Sequence, residues 1–158
     1  MVEFSRKHSH LKKQLEENIA LLEHSLRSLN YSKNKCENIK LKDSYSEEDL
    51  ESLEAMTARF ARTSDILTQK VFKGLFLFLQ EKPLTFIDSA NFLEKIGIIE
   101  GAKDILRIRE LRNEIAHEYS TFDLNEIFKN TLGQIDKLGV IVGNVKEFLL
   151  ERGGIIAT

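Results

Sequence analysis

The chain has 158 residues, 42% of them hydrophobic and 30% charged, with a formal net charge of −2. That length builds one domain, residues 1–158, whose core needs neither disulfide nor metal, and the near-neutral charge excludes a global pull on nucleic acid, leaving only local patches. The single cysteine, Cys36, excludes an internal disulfide and a cysteine-rich zinc site, while one proline and eight glycines argue against a turn-rich all-β fold.

Phe4, Leu11, Leu15, Leu22, Leu26 and Leu29 recur at three- and four-residue steps and predict an amphipathic helix over about 4–30. The opening "MVEFSRKHSHLKKQ" lacks the apolar core of a signal peptide. No run of about eighteen apolar residues follows, so no membrane contact is expected and the default location is the cytoplasm. The polar stretch "NYSKNKCENIKLKDSYS" then breaks the pattern. Between Arg27 and Lys42, Arg27, Lys33, Lys35, Lys40 and Lys42 stand against one acid, Glu37, giving a basic loop at about 31–46 that is either a solvated linker or a phosphate-contacting arm. Cys36 falls inside it and reads as a surface thiol.

Ser46 with Asp49 resembles a capping box, and Glu47, Glu48 and Asp49 suit a helix N-terminus. The second helix runs through Leu50, Leu53, Met56, Phe60, Ile66, Leu67, Val71 and Leu75 to about Gln80, and the apolar "GLFLFLQ" near its end implies burial on several sides. Pro83 interrupts the chain. Thr85 with Asp88 caps a short third helix, "FIDSANFLEKIG", closed by Gly97. A fourth helix spans about 102–118. Asp123 with Glu126 caps a fifth over about 124–152, ended by Gly153 and Gly154. "GVIVG", Gly139 to Gly143, marks a close helix approach in the core, or a packed dimer seam. No stretch alternates as a strand does, so the expected fold is all-α: an antiparallel, up-and-down bundle of four or five helices.

On the fourth helix Ile105, Ile108, Leu111 or Arg112, Ile115 and Tyr119 trace a largely inward stripe, and Arg109, Asn113 and His117 follow one another at four-residue steps on one face. Arg112 lies about 140° around the axis from His117, so the two do not stack along one face. They can meet at the mouth of a groove, or through a second copy of the helix. Spacing alone allows a plain reading, a charged last turn in which histidine is favoured by the helix dipole. His8, His10 and His24 form no metal-ligand pattern, and there is no Gly-rich phosphate loop or HExxH, so neither metal nor cofactor is expected.

"IRELRNEIAHEYS" resembles the signature of HEPN domains, helical bundles found in many prokaryotic ribonucleases, with Arg112, Asn113 and His117 in its arginine, polar and histidine positions. Tyr119 extends it to the R-x4-H-x-Y form, which resembles HepT-type toxins of HEPN/MNT toxin–antitoxin pairs. "EAMTARFARTSDIL" and "FLEKIGIIEGAKDILRIRELRNEIAHEY" look like further segments of that family, so the resemblance covers about residues 50–150; the first helix and the basic linker match less clearly.

The resemblance implies metal-independent endoribonuclease activity, and the residues suit it. His117 exchanges protons near neutral pH, Arg112 holds the phosphate and offsets its developing charge, and Asn113 orients His117 or donates to a phosphate oxygen. The expected step is attack of a ribose 2′-hydroxyl on its neighbouring phosphodiester. It would leave a 2′,3′-cyclic phosphate and a 5′-hydroxyl. RNA is held by Arg109, and by Arg59 and Arg62, with Lys70 and Lys73, on the second helix. The family also implies a homodimer with facing motif helices, and a cognate nucleotidyltransferase antitoxin that transfers AMP to Tyr119. The competing expectation is a non-catalytic helical substrate-binding or adaptor partner of a small nucleotidyltransferase.

Overall fold

The computed structural model describes residues 2–117 and 124–153. Its elements are α1 (Val2–Cys36), α2 (Glu47–Asp65), a π-helical segment (Ile66–Val71), α3 (Phe72–Phe78), α4 (Phe86–Lys95), α5 (Ala102–Ala116) and α6 (Leu124–Gly153). All are helical, and no strand occurs among the described residues.

Side-chain contacts set the direction of each rod. Cys36 meets Ser52, Ser32 meets Arg59, Ser25 meets Thr63, and His8 stacks on Phe78. As the first partner falls in number the second rises, so α1 runs antiparallel to the continuous helix formed by α2, the π segment and α3. Lys33 with Asp136 and Glu23 with Lys146 set α6 antiparallel to α1 in the same way. Lys137 with Asp104 and Asn144 with the Ile98 carbonyl set α5 antiparallel to α6. A single buried cluster fills the space between them, with Phe60, Leu67, Leu111, Phe128 and Val145 fully enclosed.

α1 is longer than the sequence pattern predicts and runs six residues into the expected basic loop. Its buried stripe is Leu15, Ile19, Leu22, Ser25, Leu29, Ser32 and Cys36. Two serines stand where leucines are expected, which hides the continuing period. Their hydroxyls are satisfied across the interface: Ser25 shares a 2.6 Å hydrogen bond with Thr63, and Ser32 Oγ accepts from Arg59 at 2.9 Å. Small hydroxyls satisfied in this way tolerate burial. Cys36, expected at the surface, is fully buried, its thiol donating to the Ser52 carbonyl at 3.3 Å; this corrects the surface reading. The remaining link, 37–46, is tied to α6: the Tyr45 hydroxyl accepts from the Lys42 amide and donates to Asn125, whose amide donates back to the Lys42 carbonyl. Lys33 is engaged by Asp136 at 2.6 Å, and that ion pair raises its pKa.

Two helix ends use the same device. At α4 the Thr85–Asp88 capping box forms in both directions. Its C-terminus closes with Ile98 N–H on Leu93 O and Gly97 N–H on Glu94 O, with Gly97 at φ 82°, the Schellman arrangement. α3 ends alike, Glu81 N–H on Phe76 O and Gln80 N–H on Leu77 O, but Gln80 takes the left-handed position at φ 58°. Ser46 caps α2 by accepting from the Asp49 amide.

One further expectation holds in part and another changes. Leu75 and Phe76 are buried and Phe78 and Leu79 pack against the core, so the apolar run is enclosed on several sides as expected, but the face carrying Leu77 is open, with Leu77 57% exposed. Gly139 and Gly143 have no close neighbour, since a Cβ at either would meet nothing within 4 Å. They mark no close helix approach among the described residues. The caps expected of Asp123 and Gly154 lie outside the described residues.

Candidate active site

Ile105, Ile108, Leu111 and Ile115 anchor α5 in the core, as the periodicity predicts, and the intervening residues reach the surface. Arg112 is drawn to the end of α2. Its Nε donates to Asp65 Oδ1 at 2.8 Å and its Nη2 to Oδ2 at 3.0 Å. This two-pronged bond raises the arginine's already high pKa and fixes the plane of the fork. Arginine carries five N–H donors, so the Nη1 pair and one proton on Nη2 are left over by this bond.

One turn earlier, Arg109 lies over the Phe86 ring, its guanidinium carbon 4.3 Å from the centroid. Phe86 is the first residue of α4 and is placed by the Thr85 cap. Between these helices is a cavity of about 430 Å³ lined by Asp65, Gln69, Phe86, Arg109, Arg112 and Asn113, among others. Two arginines against one aspartate leave it with one excess positive charge, and its walls are largely polar. A phosphate-sized anion matches that charge and those donors.

His117 caps α5. Its backbone at φ −109° and ψ 26° has left the helix, its N–H donates to the Asn113 and Glu114 carbonyls, and its side chain is exposed. It does not line the Arg109–Arg112 cavity. The structure thus brings Arg109, Arg112 and Asn113 to one cavity and leaves His117 beyond its edge. Arg62 is exposed on α2. Arg59 faces α1, where Nη1 donates to the Ser28 carbonyl at 3.1 Å and to Ser32. Tyr119 lies outside the described residues. Among the described residues no group of three or more His, Cys, Asp or Glu is placed to hold a metal ion, and no helix is long and apolar enough to cross a membrane.

Asp65, Gln69 and Phe86 are among the site residues that the motif leaves out. Asp65 carried one signal: it is the one acid in the stretch between Glu54 and Glu81. No protein-family model, curated protein or solved structure matches the chain.

Proposed function

We propose that this protein is a metal-independent endoribonuclease of the HEPN type, the toxin half of a toxin–antitoxin pair. The observation that carries the reading is the cationic cavity on α5. There Arg112, its fork held by Asp65, and Arg109 face a volume able to take a phosphodiester.

In this reading Arg112 Nη1 and Arg109 bind the non-bridging phosphate oxygens and stabilise the charge they gain as the 2′-oxygen attacks. His117 removes the 2′-hydroxyl proton, and an imidazolium protonates the departing 5′-oxygen. Asn113, on the cavity wall one turn before His117, donates to the phosphate. Because His117 stands outside its own chain's cavity, the reading calls for a homodimer in which the partner's α5 completes the site. Asn113, Glu114, Ala116 and His117 form the exposed end that meets it. Arg62, with Lys70 and Lys73, extends the contact along RNA, while Arg59 bonds to α1 beside any RNA contact. A nucleotidyltransferase antitoxin neutralises the protein, by AMP transfer to the Tyr119 hydroxyl or by binding.

One observation favours a second reading. Asp65 neutralises Arg112, which suits a non-catalytic partner of a nucleotidyltransferase that uses the cavity only to bind. Induction in cells separates the two. A nuclease arrests growth as wild type and not as His117→Ala, and the RNA ends carry 2′,3′-cyclic phosphates. Equal tolerance of both forms, with intact RNA, sinks the nuclease.

A further inference from the structure

A second cavity, of about 440 Å³, adjoins the first and shares three wall residues with it: Thr68, Gln69 and Phe86. Its character is opposite. Phe72, Phe76, Leu93 and Ile105 make its floor, and polar groups contribute little of its surface. Lys73 and Lys82 stand at its rim with Glu81, an excess of one positive charge. Phe86 is the partition, with Arg109 over its ring on the polar side.

The π-helical segment builds the other shared wall. Its wide turn closes with the Phe72 N–H on the Leu67 carbonyl. The segment keeps Ile66, Leu67 and Val71 buried while Thr68 and Gln69 line both cavities. Such widened turns are less favourable than α-helix and recur at functional sites.

We propose that the apolar cavity is a nucleobase subsite, taking the base of a ribonucleotide whose phosphate lies against Arg109 and Arg112. A nucleotide has the same two-part character as the paired cavities: an anion and an aromatic plane joined through one ribose. The aromatic lining offers Phe72, Phe76 and Phe86 for base contact. Gln69 and Ser89 are the polar groups able to meet a base edge. Lys73 and Lys82 favour the backbone of a polynucleotide passing the mouth over an uncharged apolar ligand. The volume falls in the range of small-ligand pockets. The proposal rests on the nuclease reading for the identity of the polymer, and makes the enzyme selective for the base beside the scissile bond.

The test titrates the full chain, at fixed ionic strength, with inorganic phosphate and with each of the four ribonucleoside 5′-monophosphates, followed by calorimetry and amide NMR shifts. At least one mononucleotide is expected to bind about tenfold more tightly than phosphate, shifting amides of residues 68–77 and 86–93. Ser89→Trp, which fills the cavity from half-buried α4, is expected to lower that affinity to the phosphate level and leave phosphate binding alone. Equal affinity for phosphate and all four mononucleotides overturns the subsite, as do shifts confined to α5; both readouts use wild type and stand even if the tryptophan variant does not fold. RNA cleavage measured in parallel separates the two ideas. Cleavage without base-dependent binding removes the subsite alone, whereas base-dependent binding without cleavage removes the nuclease and keeps the subsite.

Discussion

At Arg112 the guanidinium is divided between a carboxylate and a cavity, and the division predicts the effect of removing Asp65. The pair is partly exposed, 35% at Arg112 and 43% at Asp65, so solvent screening limits its worth to at most about 1 kcal/mol of stability. In the proposed reaction its larger effect is on geometry. Asp65→Asn is expected to lower kcat, because the fork loses its fixed plane, and to tighten RNA binding at low salt, because a negative charge leaves the cavity. A kinetic titration reads both; unchanged kcat would show that Asp65 does not position Arg112. His117→Ala is expected to reduce cleavage by about a hundredfold or more, the usual contribution of a general base. At Cys36, burial pushes the thiol pKa up. The folded state therefore holds this proton more tightly than the unfolded chain. The resulting stability is fully present below the unfolded thiol's pKa and is lost as pH rises toward the folded value. Denaturation midpoints should fall between about pH 7 and pH 10, more steeply than in Cys36→Ala. Thiol reagents should label the native protein only as fast as it opens.

The helix ends of α3 and α4 form a matched pair at the scale of single elements. Both finish with the same two carbonyl contacts, but Gly97 occupies the left-handed position of one and Gln80 that of the other. A side chain there is strained by about 1 kcal/mol. Gln80→Gly should therefore stabilise the protein by up to about 1 kcal/mol and Gly97→Ala destabilise it by a similar amount; thermal denaturation of the two variants should move in opposite directions. Thr85→Ala removes one arm of the capping box at about 1 kcal/mol and loosens Phe86, the partition between the two cavities. Along α1 and α2, directed polar bonds are set among the apolar contacts: Ser25 bonds to Thr63, and Arg59 donates to the Ser28 carbonyl and to Ser32, beside the fully buried Leu29, Met56 and Phe60.

For the whole molecule, the directions of α1, α2, α5 and α6 alternate, and the single core holds them as a unit. The proposed site is completed by a second copy, so scattering at micromolar concentration should report a dimer. Glu114→Arg at the exposed end of α5 should weaken it, and cleavage with it. In the proposed function RNA is held ionically by the α5 cavity and Arg62, and its affinity should then fall steeply between low and moderate salt. Salt-insensitive binding would exclude phosphate as the main contact.

Fold class was legible in the residues themselves. Apolar side chains at three- and four-residue steps mark each helix, because burial of one face is what stabilises a helix in water, and local caps such as Thr85 with Asp88 depend only on neighbours in the chain. That Arg112 and Asn113 share one helix was legible for the same reason, whereas the helix expected to about 118 ends at Ala116 and leaves His117 as its cap. What lay beyond reach depends on residues distant in sequence. That α1 continues to Cys36 follows from hydroxyls satisfied by Arg59 and Thr63 on another helix. That a Cβ at Gly139 or Gly143 would meet nothing within 4 Å follows from where the neighbouring helices lie. That Arg112 is held by Asp65, and that Phe86 divides a polar cavity from an apolar one, follows from packing α2, α4 and α5 together. Periodicity reports which face of a helix is buried; only the tertiary structure decides which helix covers it, and so which charge meets which.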